Sequence, residues 1–324
     1  MMRFFINDNN DPAFNLALEE LLCSDFPEEV LMLWRNRSSV IVGKNQNTFA
    51  EVNRAFVEEQ NIPVIRRMTG GGAVYHDIGN VNYSLIIHER RPGADSFAVF
   101  ARPVTEALRR MGVDARFSGR NDILVDGRKI SGSAQCCVKE RTLVHGTLLF
   151  DVDMDMLGKV LTPGKAKIES KGVKSVRARV ANLKEFLPGM GVEEFMEKLK
   201  GELGVFAGVP EPLPEEWSGK AEALANEKYR LWEWNWGTPF QCQWENCGRF
   251  PGAGGVELKV QLVNGLISDV RITGDFFGSA APLEEVLRNC RFRREDVEQV
   301  LKEGLVENSV RGLTKEDFLS LINI

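Results

Sequence analysis

Apolar positions along the first 250 residues follow two alternating periods. In "DPAFNLALEELL", Phe14, Ala17, Leu18, Leu21 and Leu22 share one helical face; Asp11 is placed to cap, and Pro12 suits the first turn. "LMLWRN" and "SSVIVGK" are apolar runs of strand length, the second ended by Gly43. "EVNRAFVEEQN" returns to helical spacing, "PVIRR" to extended structure, and "VNYSLIIH" alternates as a strand does. Residues 96–111 are again helical, with Pro103 marking a start or a kink. "TLVHGTLLFDV" reads as a strand with His145 and Thr147 on one face.

Two dipeptides, Asp126-Gly127 and Asn264-Gly265, sit between β-prone runs and predict two-residue hairpin turns. The first turn would pair Val125 with Arg128, Leu124 with Lys129, Ile123 with Ile130, and Asp122 with Ser131. Asp122, Lys129 and Ser131 then share one face, and Ile123, Val125 and Ile130 the other. Proline-rich "FAGVPEPLPEEW" and aromatic "YRLWEWNWGTPFQ" precede the glycine-rich stretch 248–255, the best candidate linker. Beyond it a hairpin and three short helices are expected, the last with Thr314 and Asp317 as a capping box. Strands and helices mix without regular βαβ alternation. The expected architecture is therefore α+β, with a large domain over 1–246 and a small α+β domain over 247–324.

Composition narrows the function. A content of 43% hydrophobic and 27% charged residues is that of a folded globular chain. The net charge of −5 argues against a nucleic-acid partner but allows a local basic pocket. No apolar run reaches the roughly 18 residues of a membrane span, so no membrane association is expected. "MMRFFINDNNDP" turns polar before a signal-peptide core develops, and the six cysteines are scattered as reduced thiols would be. A cytoplasmic location is the expectation. Cys242 and Cys247 have no histidine or second cysteine pair nearby, so no protein metal site is expected.

The chemistry concentrates in "RRMTGGGAVYHD", residues 66–77. Consecutive glycines let a ligand approach the backbone and let N–H groups converge on an anion. Arg66 and Arg67 can add charge-assisted bonds to phosphate or carboxylate oxygens. The motif lies between two predicted strands and lacks the lysine–serine ending of a P-loop, so another kind of anion or adenylate cradle is expected. A tight turn with solvated arginines is the bland alternative. His76 either touches the ligand or braces the loop, and Asp77 reads as a turn residue. Lys129, beside Asp122, suits a reaction that builds negative charge where a carboxylate meets a phosphate; a solvated ion pair is its alternative. Residues 165–179, with six basic residues and one acid, read as a basic lid or as a solvated charged loop.

Taken together these segments resemble the lipoate–protein ligase family in its bacterial two-domain form. The resemblance covers nearly the whole chain: "DPAFNLALEE", "LWRN", "RRMTGGGAVYHDIGNVNYS", "GRNDILVDGRKISGSAQ", "HGTLLFD", "KGVKSVRARVANL", "WEWNWG" and "GGVEL". It implies the α+β fold shared by biotin and lipoate ligases, with residues 1–246 as a catalytic lipoate- and ATP-binding domain and an added small domain that moves between steps. It implies that ATP, Mg2+ and (R)-lipoate give lipoyl-AMP. The lipoyl group then passes to a lysine of apo lipoyl-domain proteins, namely glycine cleavage H protein and E2 subunits of 2-oxoacid dehydrogenases. Lys129 is the implied catalytic residue, in contact with lipoate and adenylate. Arg67, Gly72, Ala73, Val74 and Tyr75 are implied to line the nucleotide site, which Asp122 joins from the hairpin face. Gly71, His76 and His145 join Lys129 and Arg67 in the expected lipoate site, and Lys171, Lys174 and Arg177 in an adenylate-covering loop. Cys136 and Cys137 depart from this pattern and keep open a cysteine-dependent octanoyl or lipoyl transferase. A non-catalytic binder of acyl-adenylate is a third reading.

Overall fold

The structure, a computed structural model, describes residues 2–89, 94–119, 121–162, 179–237 and 242–322. The first elements are β1 (Arg3–Asn7), α1 (Pro12–Ser24), β2 (Val30–Arg35), β3 (Ser39–Val42), α2 (Thr48–Glu51) and α3 (Arg54–Glu59). They are followed by β4 (Val64–Arg66), β5 (Val74–His76), β6 (Asn80–Ile87), α4 (Ala94–Arg110) and β7 (Arg116–Ser118). β8 (Asp122–Val125), β9 (Arg128–Val138), β10 (Arg141–Leu149), α5 (Met154–Val160), α6 (Val192–Ala207), α7 (Glu215–Leu224) and α8 (Trp232–Trp236) complete the larger domain.

Seven strands form one sheet in the order β1-β2-β6-β10-β9-β8-β7, and a small sheet has the order β4-β3-β5. β6 sits between β2 and β10 and is buried on both faces. Its alternation holds, but neither face meets water. Val81, Tyr83 and Leu85 join a core with Phe97 and Val104 of α4 and Phe195 and Leu199 of α6. On the opposite side Trp34, Ile86 and Leu143 pack with Leu18 and Leu22 of α1 and Ala221 of α7. Ile123, Val125 and Ile130 point into the first core, as their spacing predicts. α1 starts at Pro12 with Asp11 as its cap, and Pro103 lies inside α4.

The smaller domain has the sheet β11 (Trp244–Phe250), β12 (Gly254–Val263) and β13 (Leu266–Gly274). Four short helices follow: α9 (Ala281–Leu287), α10 (Arg294–Val300), α11 (Leu305–Ser309) and α12 (Lys315–Ser320). This corrects the expected hairpin and three helices. The glycine-rich stretch is not a linker, because Phe250 pairs with Gly254 across a turn, and the expected boundary at 246/247 runs through β11. Asp126-Gly127 and Asn264-Gly265 both have positive φ at the two turn positions, the backbone that a twisted hairpin requires. Thr314 and Asp317 form the reciprocal capping box. No helix among the described residues is long and apolar enough to cross a membrane.

Gly146 lies opposite Tyr83, where an added Cβ would stand 2.3 Å from the phenol oxygen. That oxygen bonds Ser133 Oγ at 2.8 Å, so the ring is held from its far end as well. Gly146→Ala should destabilise the chain by about 1–3 kcal/mol in urea unfolding. An unchanged midpoint would mean that the ring shifts freely.

Candidate functional site

The glycine loop joins β4 to β5, and the two arginines before it are both buried. Arg67 Nε donates to Thr69 Oγ1 at 3.0 Å, and Nη1 to the Ile41 carbonyl at 3.1 Å. Its Nη2 donates to the carbonyls of Gly70 at 2.7 Å and Gly72 at 2.9 Å. Arg66 Nη1 donates to the carbonyls of Gly43, Lys44 and Gln46, and Nη2 to Thr48 Oγ1 at 2.6 Å. Both guanidinium groups are thus engaged from beneath the loop, by backbone carbonyls and by the Thr48 and Thr69 hydroxyls. Burial lowers both from 12.5 to about 10, which leaves them cationic at neutral pH. Two fixed positive charges thus lie beneath the loop.

The missing side chains have specific reasons. A Cβ on Gly43 would stand 1.9 Å from the Gly71 carbonyl, and one on Gly70 would stand 2.5 Å from the Phe276 carbonyl of the smaller domain. Gly71 has φ +94°, and its N–H donates to that same Phe276 carbonyl at 3.1 Å. Beside Gly72 there is open space. Ala73 and Val74 are half-buried, whereas the Tyr75 ring is buried among Val40, Val42 and Val64, so Tyr75 offers only its backbone. Asp77 is the expected turn residue: it accepts from the Gly79 N–H at 2.9 Å and the Asp153 N–H at 2.9 Å.

A buried polar chain runs under the loop. Trp34 Nε1 donates to Ser84 Oγ at 2.7 Å, and Ser84 Oγ donates to Glu19 Oε1 at 2.5 Å. His145 Nδ1 lies 2.9 Å from Glu19 Oε2, and its Nε2 lies 2.8 Å from Thr69 Oγ1. The sequence reading found His145 and missed Glu19. The available signal was the i, i+4 polar pair Asn15 and Glu19 on the apolar side of a helix whose other charged residue is Glu20; both are buried.

His76 is placed by a second chain. Asn15 Nδ2 donates to the Asn9 and Arg35 carbonyls and to Asn36 Oδ1, so Asn36 Nδ2 faces His76 Nδ1 at 3.0 Å as donor. His76 Nδ1 must then accept, which puts the ring proton on Nε2. Burial, helped by Arg67 and His145, pushes His76 down from 6.5 to about 3. It is a neutral, singly oriented donor, not a proton shuttle.

The hairpin carrying Lys129 departs from the expected register after two pairs. Leu124 faces Lys129 as expected, but a bulge then sets Ile123 opposite Ser131 and Asp122 opposite Gly132. Ser131 is thereby moved to the buried face with Ile123 and Ile130, which corrects its assignment to the face of Lys129. Gly132 takes that place instead. Lys129 Nζ lies 2.7 Å from Asp122 Oδ1 and would lie 2.7 Å from a Cβ on Gly132. The Lys129 backbone is clamped as well: its N–H donates to the Arg179 carbonyl, and its carbonyl accepts from Ala181. A cleft of 490 Å³ opens beside the neighbouring Arg128, between it, Val152–Asp155 and Val180–Asn182.

β10 connects the two halves. Thr147 Oγ1 accepts from the Gly132 N–H at 3.3 Å, and His145, two residues away on the same face, holds Thr69 of the glycine loop. Lys129, Asp122, Gly71, Arg67, His76 and His145 therefore belong to one region. Lys171, Lys174 and Arg177 lie outside the described residues. Cys136 packs in the apolar cluster of Trp34 and Val74, where burial pushes its thiol well above the usual 9.0.

The chain as a whole has known relatives. The lipoyl protein ligase A/B catalytic domain family matches residues 11–204, and the bacterial lipoate protein ligase C-terminus matches residues 240–322. The chain is 42% identical to lipoate-protein ligase LplJ of Bacillus subtilis, over 99% of this chain and 100% of that protein. Among solved structures it is similar to P. falciparum LipL1 in complex with lipoate, with 28% identity and a TM-score of 0.80 over 99% and 97% of the two chains. A lipoate-protein ligase A bound with ATP matches with 28% identity and a TM-score of 0.63, over 72% and 98% of the two chains.

The depressed value of His76 has a consequence for stability. Neutral His76 contributes stability that is present above pH 6.5 and is lost as pH falls toward about 3. From pH 7 to pH 5 its share of the loss is about 2 kcal/mol. His76→Gln should lose that much less in urea unfolding over the same interval. An equal loss in both proteins would show that His76 is solvated.

Proposed function

The chain belongs to the lipoate–protein ligase family, and from that premise we propose how its residues divide the work of an ATP-dependent ligase acting on lipoate. The first step is attack of the lipoate carboxylate on the α-phosphorus of ATP. The bond to pyrophosphate breaks and lipoyl-AMP forms. Both reactants are anionic, so the barrier includes their mutual repulsion. The Lys129 ammonium, paired with Asp122 and lying over Gly132, would hold carboxylate and α-phosphate oxygens together. The glycine loop supplies backbone donors and close approach at Gly72, Ala73 and Val74, over the positive charges of Arg66 and Arg67. Magnesium would arrive with the triphosphate, keeping phosphate and water ligands; Asp122 is the carboxylate at the Lys129 end.

The acyl chain would lie along the apolar wall of Trp34 and Val74, with the Glu19–His145 pair closing the far end. In the second step a neutral lysine amine of the acceptor attacks the acyl carbon and AMP leaves. Lipoyl domains of H protein and of E2 subunits are the proposed acceptors. One observation carries this reading: β10 ties the Lys129 hairpin through Thr147, and the glycine loop through His145, to a single strand face. The raised Cys136 thiol supports a ligase over a cysteine-dependent transferase, which needs a thiolate nucleophile.

The test is lipoate-dependent exchange of labelled pyrophosphate into ATP without acceptor. Wild type should exchange, and Lys129→Ala should lose ~100-fold or more. A Cys136→Ser, Cys137→Ser double variant should remain active. ATP-independent acyl transfer that requires a cysteine would overturn the mechanism.

Gly132→Ala gives a separate prediction. Its Cβ would collide with the Lys129 ammonium, so exchange should fall roughly 10-fold or more with little change in melting temperature. Full activity would mean that Lys129 acts from another position.

A further inference from the structure

Two buried donors in this site lack a hydrogen-bond partner among the described residues. His76 Nε2 carries the ring proton, by the amide chain described above, and is buried without a hydrogen-bond partner among the described residues. Asn82 is buried as well; its Oδ1 accepts from Asn80 Nδ2 at 2.8 Å, and its own Nδ2 has no such partner. Buried N–H groups are normally satisfied, because leaving one unbonded forfeits its hydration for nothing.

Both lie against the same indole. Asn82 stands directly opposite Trp34 on β2 and Thr147 on β10, so the three share a sheet face. Ser84, two residues along that face, receives the Trp34 N–H, which confirms the direction. The His76 ring meets the Trp34 ring edge-on, with centroids 6.5 Å apart. Arg67 acts on His76, and Lys129 stands beyond Thr147 over Gly132; the carboxylates in this region, Glu19 and Asp122, are each paired, with His145 and Lys129.

Resting on the ligase reading above, we infer that Asn82 and His76 form an uncharged donor pair that binds an anionic oxygen of the substrates, a lipoate carboxylate or a nucleotide phosphate, alongside the charged Lys129. Charge from Lys129 supplies attraction, while the neutral pair supplies direction. Such donors hold an oxygen at a set angle without competing for its proton. They are positioning residues for the proposed reaction; Asn82 falls within the quoted segment 66–84, where the sequence alone assigns it no role.

Asn82→Asp tests this cleanly. The carboxylate keeps an acceptor for Asn80 Nδ2, the one side-chain bond observed for Asn82, and turns the free donor into an anion. Calorimetric titration with lipoate alone and with ATP alone, on the full chain, should show roughly tenfold or greater weakening for one ligand, which identifies the source of the oxygen. His76→Phe should weaken the same ligand, and His76→Gln, which keeps a donor, should restore most of it. Binding of both ligands to Asn82→Asp and His76→Phe within about threefold of wild type would overturn the inference. If Asn82→Asp does not fold, the His76→Phe and His76→Gln pair decides by the same criterion. Pyrophosphate exchange by wild type separates the two failures. Exchange together with unchanged ligand affinities refutes the donor pair alone, and absence of exchange refutes the ligase reading beneath it.

Discussion

Two guanidinium groups buried among backbone carbonyls organise this protein. Moving a charge out of water costs several kcal/mol even after relaxation. Arg66 and Arg67 offset that cost with a fan of bonds to the Ile41, Gly43, Lys44, Gln46, Gly70 and Gly72 carbonyls. Only a planar fork with several donors can gather carbonyls from two separate loops; a lysine ammonium would not span them. The arrangement turns segments without regular structure into a fixed surface and leaves positive charge beneath it. The glycines are therefore not merely flexible. Each close approach they allow is closed by a named contact, from Gly43 against Gly71 to Gly70 against Phe276.

That surface is shared between the domains. Gly71 donates to Phe276, Gly274 donates to Asn45, and Asn45 Nδ2 reaches the Gly278 carbonyl at 3.2 Å. The Phe277 ring packs against Phe97 of α4 with centroids 5.7 Å apart, and its edge would lie 3.0 Å from a Cβ on Gly71. The smaller domain thus touches the larger one at the glycine loop. Two of these contacts, Gly71 to Phe276 and Gly274 to Asn45, are backbone bonds, which substitution of side chains cannot easily remove.

The seven-stranded sheet separates structure from chemistry by its two faces. One face of β6 is apolar and supports α4 and α6. The other presents Asn80, Asn82 and Ser84, all buried, beside Trp34, His145 and Thr147. A buried polar face is costly unless satisfied, and most of this one is satisfied by the Trp34–Ser84–Glu19–His145–Thr69 chain. The exceptions gather where ligand chemistry is expected.

The sequence by itself determined the α+β class, the early capped helix, both Asx-Gly hairpins and the family resemblance. These are local properties: periodicity, turn chemistry and short motifs depend on neighbours within a few positions. Alternation in "VNYSLIIH" likewise marked β6, but not that its polar side would be buried, because burial depends on what covers the face. Tertiary structure alone decided that Arg66 and Arg67 hold carbonyls, that Glu19 is paired with His145, and that Gly132, not Ser131, lies beside Lys129. The last of these turned on one bulge between Ile123 and Leu124, since a single extra residue moves every later side chain to the opposite face. Partners separated by 126 positions, as Glu19 and His145 are, meet only when the chain has folded, and no local pattern encodes that meeting.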